Sequence, residues 1–263
     1  MRFFDVNVLG RYQGGAITAT SGNGNTAFSE TVDFSYQSSG QDLDGDTVIL
    51  GREFDSEQEF DSLVILQNNF KNVSIWRKET EVSSWENITS SFVITESADH
   101  QSHFYKSASI IKFYSLEIRI PDTVVADQEK ECGCIMAFTE LGNLIKFTDI
   151  DTQKKFKQKK MELDAGGIVV VNKGSWWTFK IKSKYISDQA TVDLITTIQN
   201  LGREFFIWIN SGYESAMVEV EPYRFNDFIK CVHTGTPNPG FYKNYLNSVF
   251  EDGLQFEQTG QIK

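Results

Sequence analysis

Apolar residues recur at every second position through much of this chain, and only one segment has a helical period. Between Ile110 and Ile120, Ile110, Tyr114, Leu116, Ile118 and Ile120 share one parity, while Ser115, Glu117 and Arg119 take the other. That alternation belongs to a strand with one buried face. Pro121 ends it, having no N–H to give a ladder. Upstream, Leu63–Leu66 and Val73–Trp76 read as two strands of a hairpin around the polar turn Gln67–Asn72. Shorter strands are expected at Phe3–Leu9, at Thr31–Tyr36 and from Cys132 onward. Ile168–Val171 and Trp176–Lys182 read as a pair across Asn172–Gly174, with Trp177, Phe179 and Ile181 inward and Trp176 on the polar parity. Glu204–Ile209 and Ala216–Val220 complete the strands. The helix spans Ser187–Leu201, with Ser187 as its cap, Leu194, Ile195, Ile198 and Leu201 on one face, and Gly202 as its stop.

This pattern predicts a mainly β chain. A jelly-roll-type β-sandwich is expected over residues 1–122, then a smaller β-rich module with one helix over 131–263. The polar stretch Pro121–Lys130 marks the boundary, and the Gly-, Ser- and Asn-rich run 14–25 reads as a flexible arm.

Composition narrows the picture. At 263 residues there is room for two cores, and 21 Phe against 4 Pro favours strands. A net charge of −11 (25 − 36) excludes a nucleic-acid surface as the main business, because phosphates demand a basic footprint. No run approaches the roughly 18 apolar residues of a membrane span. The start lacks a signal peptide's apolar core, so synthesis in a reducing cytoplasm is expected. Cys132, Cys134 and Cys231 are odd in number and read as free, buried thiols.

Candidate chemistry is sparse. Asp42, Asp44, Asp46 and Glu53 keep the spacing of a calcium loop, whose alternate oxygen ligands suit a hard cation. Thr47 stands where such a loop turns on Gly, and neither flank is helical, so an acidic turn is the expectation. His100 and His103, with Asp99, offer imidazole and carboxylate in a polar loop, where exposed side chains are the commoner outcome. Five lysines, Lys154, Lys155, Lys157, Lys159 and Lys160, form a basic island in an acidic chain. Such an island either guards an edge strand or docks on an acidic neighbour, and Trp176 on its polar parity is a second interface candidate. There is no phosphate loop, nucleophile elbow or metalloprotease motif. No catalytic residue and no cofactor is therefore expected, although the many carboxylates leave a glycosidase pair open.

The sequence L-V-I-L, turn, V-S-I-W, then W-x-x-I at Trp85–Ile88, and finally I-K-F-Y-S-L-E-I-R-I resembles the galactose-binding-like, or discoidin-like, β-sandwich. The resemblance implies a ligand held by loops with aromatic and Arg contacts. Arg52, Trp76, Trp85, His100 and His103 are the residues here that fit. With its Gly- and Asn-rich loops and second β module, the whole chain resembles a bacteriophage tail or related virion structural protein. That likeness implies a homo-oligomer assembled with other virion proteins, with a host-surface glycan as a further contact. The alternatives are a stand-alone carbohydrate-binding module and a glycan-processing enzyme.

Overall fold

The computed structural model describes residues 1–10, 17–19, 36–37, 47–96, 102–126, 128–143, 149–162, 168–186, 189–208, 228–234, 242–244 and 247–261. The chain is mainly β. Its strands are β1 (Arg2–Phe4), β2 (Ile17–Ala19), β3 (Tyr36–Gln37), β4 (Val48–Leu66), β5 (Ser74–Lys78), β6 (Glu86–Asn87), β7 (Phe92–Glu96), β8 (His103–Ile120), β9 (Glu131–Cys132), β10 (Cys134–Phe138) and β11 (Glu140–Asn143). They continue with β12 (Asp149–Glu162), β13 (Ile168–Ile186), β14 (Glu204–Trp208), β15 (Phe228–His233), β16 (Tyr242–Asn244) and β17 (Asn247–Gln261). The helix α1 is Gln189–Asn200.

Two long strands organise the first sheet. β4 and β8 pair antiparallel from Val48↔Ile120 to Ile65↔His103, and their register slips between Glu53 and Gln58 and again between Phe60 and Ser62. An unmatched residue in one strand bends it and changes which parity faces the core. Leu50, Phe54, Leu116 and Ile118 from one side of the slips, and Leu63, Ile65 and Tyr105 from the other, therefore belong to a single buried cluster. Phe113 sits at the bend, edge-on to Phe54 at 5.5 Å and to Phe60 at 5.2 Å. In the first half of the sheet β2 flanks β4, while β5 and then β6 flank β8. In the second half β10 flanks β4 and β7 flanks β8.

Beyond the slips, Val64, Leu66 and Phe104 face away from that cluster. They pack with Cys134, Met136 and Phe138 against Phe4, Phe206 and Trp208 of the second sheet. Phe104 meets Trp208 at 5.2 Å and Phe138 meets Phe206 at 4.9 Å. The second sheet runs β11-β1-β14-β15-β17-β13-β12, with β16 beside β17. Its opposite face carries Phe3, Phe205, Ile207 and Phe256, covered by Leu194, Ile195 and Ile198 of α1. α1 lies close to β11 because residue 142 is Gly; a Cβ there would stand 3.0 Å from Leu194 Cδ1. Gly202, at φ 61°, takes the left-handed conformation that ends the helix.

The mainly β class and the helix match the sequence reading, but several elements differ. β4 and β5 do not form a hairpin; both pair with β8, which lies between them. Ile168–Ile186 is one continuous strand, and it pairs antiparallel with β12 and β17. Of the expected strand Phe3–Leu9 only Phe3 and Phe4 are β, and β1 begins one residue earlier at Arg2. Ile110 is 53% exposed while Ile111 and Phe113 are buried, because the slip in register reverses the parity. Among the described residues the first sheet has seven strands and the second eight. Pairing also crosses Pro121–Lys130 in both directions: β10 joins the first sheet and β1 the second. Thr31–35, Ser187 and Ala216–Val220 lie outside the described residues.

Candidate functional site

In the first half of the first sheet, burial of one parity leaves the other to build a surface. Directly paired residues share a face, so three rows cross the strands. Ile49, Arg119 and Ser74 form one, Gly51, Glu117, Trp76 and Asn87 the next, and Glu53, Ser115 and Lys78 the third. β5 shows how the sequence arranges this: Ile75 is fully buried, and its neighbours Ser74 and Trp76 must then point outward.

Trp76 and Trp85 are both half-buried on this surface. The Arg119 guanidinium carbon lies 4.0 Å from the Trp76 ring centroid and 5.9 Å from that of Trp85. Lys78 Nζ stands 5.2 Å over Trp85. Cations at this distance are held by the negative face of the indole. Glu117 orients the guanidinium: its Oε2 accepts from Arg119 Nε at 2.8 Å and lies 2.7 Å from Nη2. Trp76 Nε1 donates to Ser74 Oγ at 3.0 Å, which fixes the plane of the indole.

The hairpin that carries Trp85 is itself pinned. Arg77 donates to Glu86 Oε2 at 3.0 Å and to the Lys112 carbonyl at 2.8 Å. The amide of Ile75 donates to Thr89 Oγ1 at 2.8 Å, and buried Ile88 anchors the return strand. Val82, 94% exposed, marks the tip of the connecting turn.

The structure brings Trp76 and Trp85 together and separates them from the other residues expected at a site. Arg52 is an interior residue, not a ligand contact. It is 5% exposed, donates through Nη1 to the Leu9 carbonyl, lies 5.2 Å from the Phe54 ring centroid, and burial pulls its pKa down. His103 is likewise interior, 5% exposed, with Nδ1 3.1 Å from Asn68 Nδ2. Both occupy the inward parity, which explains why no loop presents them. Asp42, Asp44, Asp46, Asp99 and His100 lie outside the described residues, and Glu53 is exposed on β4. Among the described residues no group of three or more His, Cys, Asp or Glu is placed to hold a metal ion.

The basic island lies on β12, at the end of the second sheet's strand order. Lys155 is exposed there, opposite Trp176. The side chains of Lys154, Lys157, Lys159, Lys160 and Trp176 are outside the described set. Trp177, expected inward with Phe179 and Ile181, is 38% exposed whereas those two are buried. Cys132, Cys134 and Cys231 are free and buried, and burial pushes the Cys134 thiol up to about 12. Sequence reasoning passed over Glu117, Arg119 and Lys78. The polar parity of the strand ending at Ile120 was the available signal for the first two, and it places them opposite the core.

No family model matches the chain, and no curated protein matches it. Among solved structures, the family 32 carbohydrate-binding module from Streptococcus pneumoniae EndoD matches with a TM-score of 0.38 and 8% identity, over 51% of this chain and 99% of that one. Chitosan-binding module 1 from a chitosanase/glucanase of Paenibacillus sp. IK-5 matches with a TM-score of 0.39 and 11% identity, over 50% and 98%. CpGH89CBM32-6 produced by Clostridium perfringens gives 0.39 and 11%, over 51% and 99%. These likenesses are too distant to bear on either fold or function. Among the described residues no helix is long and apolar enough to cross a membrane.

Proposed function

We propose that this chain binds carbohydrate, and that Trp76, Trp85, Arg119 and Lys78 form its contact face. The observation that carries this reading is the Arg119 guanidinium 4.0 Å from the Trp76 ring centroid and 5.9 Å from that of Trp85, two half-buried indoles on the outer face of a sheet. A sugar ring offers an apolar C–H face and a rim of hydroxyls. Rigid aromatic surface meets the first, and fixed charged donors and acceptors meet the second. Because Trp76 and Arg119 are already oriented by Ser74 and Glu117, little side-chain freedom is lost on binding.

A glycan array probed with the full chain tests the reading. Trp76→Ala should weaken every retained glycan by about tenfold or more, the effect of removing a central aromatic anchor. Trp177→Ala, on the other sheet, should not. Failure of the native chain to retain any glycan, or binding indifferent to Trp76→Ala, would sink it.

The virion-component reading is kept as a second one for one observation: Lys155 is exposed on β12 at the end of the second sheet. The comparisons name no particle protein. On this reading Lys154–Lys160 and Trp176 would dock on a second copy or another virion protein.

A further inference from the structure

Resting on the carbohydrate reading above, we infer that Glu117 and Arg119 together read two adjacent hydroxyls of a neutral sugar, and that they set the specificity of the face. The two residues are next neighbours on one side of β8, in the rows that also carry Trp76 and Ser74. Their ion pair is one-sided. Both Arg119 contacts converge on Glu117 Oε2, from Nε at 2.8 Å and from Nη2 at 2.7 Å. Glu117 Oε1 and Arg119 Nη1 have no hydrogen bond among the described residues. The pair thus presents one acceptor and one donor side by side, with the guanidinium lying over the face of the Trp76 indole.

Vicinal hydroxyls match this arrangement. One hydroxyl donates to Oε1, the next accepts from the guanidinium, and the C–H face between them meets the part of Trp76 that the guanidinium leaves uncovered. Both side chains are partly open, with 26% of the Arg119 side chain and 15% of the Glu117 side chain exposed.

The charges nearby favour a neutral ligand over an anionic one. Around the Trp76 rows Arg77, Lys78 and Arg119 are matched by Glu79, Glu81, Glu86 and Glu117, while Lys106 and Lys112 farther along β8 are paired with Asp61 and Glu140 and with Glu57 and Glu59. A uronic or sulfated sugar would meet no net positive field, and its own charge would oppose Glu117. Binding of a neutral sugar displaces no counterions, so its affinity should be nearly flat from low to high salt.

The test uses the full chain and the neutral glycans that the array retains. Calorimetry compares each with analogues lacking one hydroxyl of a vicinal pair, on the native protein. Loss of either hydroxyl, or Glu117→Gln, should each cost about tenfold or more in affinity, as expected for a hydrogen bond to a charged group. Glu57→Gln, a surface carboxylate paired with Lys112, should change nothing. Thermal melts establish that Glu117→Gln is folded, and the deoxy series needs no variant. Binding that requires Trp76 but ignores both Glu117→Gln and deoxygenation would overturn this inference while leaving the carbohydrate reading intact. So would a preference for anionic sugars with steep salt dependence. A native chain that retains no glycan would overturn both.

Discussion

Arg52 and Arg119 carry the same side chain to opposite faces of one sheet, and their burial decides what each does. Arg52 is 5% exposed and serves the Leu9 carbonyl. Arg52→Ala should lower stability by about 1–3 kcal/mol, the cost of an unsatisfied buried acceptor, and should leave glycan affinity of the folded fraction unchanged. Arg119→Ala should do the reverse, with a stability change below about 1 kcal/mol because its ion pair is partly exposed, and a loss of affinity. Denaturant titration and calorimetry read the two effects separately. His233 gives a pH prediction. It stands 6.0 Å from Phe256, and burial lowers its pKa below the ordinary 6.5. A His held neutral in the fold contributes stability above the unfolded pKa and loses it as pH falls toward the folded value. The melting temperature should therefore drop as pH is taken below 6.5, and drop less in His233→Asn. An equal drop in both would assign the acid sensitivity elsewhere. At this scale Trp76 and Trp85 were legible as candidates from residue type alone. Arg52 was not, because nothing in its neighbours says which parity is inward.

The register slips between β4 and β8 are the element-scale feature that sequence alternation misses. Counting back from Ile120 predicts that Ile110 is inward, yet it is 53% exposed and Ile111 is 7% exposed. Ile111→Asp should cost roughly 3–5 kcal/mol, as for an uncompensated buried charge, whereas Ile110→Asp should fall within about 0.5 kcal/mol of the native chain. Urea midpoints measure both, and a reversed order would mean that the bend is misplaced. Strand identity survived in the sequence because β-branched and aromatic runs mark it. Pairing did not, since β5 finds β8 and not its sequence neighbour β4. The polar stretch 67–72 looks like a hairpin turn, but it spans to the far side of the intervening strand.

For the whole molecule, the strand exchange predicts how fragments behave. A chain cut within 121–130 should stay associated, because β10 pairs with β4 along Cys134–Phe138 and β1 pairs with β11 and β14. Residues 1–122 made alone would expose Val64, Leu66 and Phe104, and should aggregate or melt well below the full chain. A soluble fragment with a cooperative, native-like melt would restore the independent-unit expectation. Assembly is tested at the same scale. If Lys154–Lys160 dock on an acidic neighbour, mass photometry should show oligomers at low salt that dissociate at high salt, since exposed charges are screened over about 10 Å at 0.1 M. The triple change of Lys155, Lys157 and Lys159 to Glu should abolish them. A monomer under all conditions would remove the virion-component reading.

Local chemistry determined the class of this protein: alternation and aromatic content make strands, and the Leu194, Ile195 and Ile198 stripe with Gly202 makes the helix. Those signals act within a few residues and need no partner. Which strands meet is decided by contacts across tens of residues, through burial that any inward apolar side chain can satisfy. The β4–β8 slips, the insertion of β8 beside β5 and the exchange of β1 and β10 between sheets all belong to that level. So does the candidate site. Trp76, Trp85 and Arg119 are up to 43 positions apart in sequence, and only the pairing of β5 with β6 and β8 sets their charged and aromatic faces against one another.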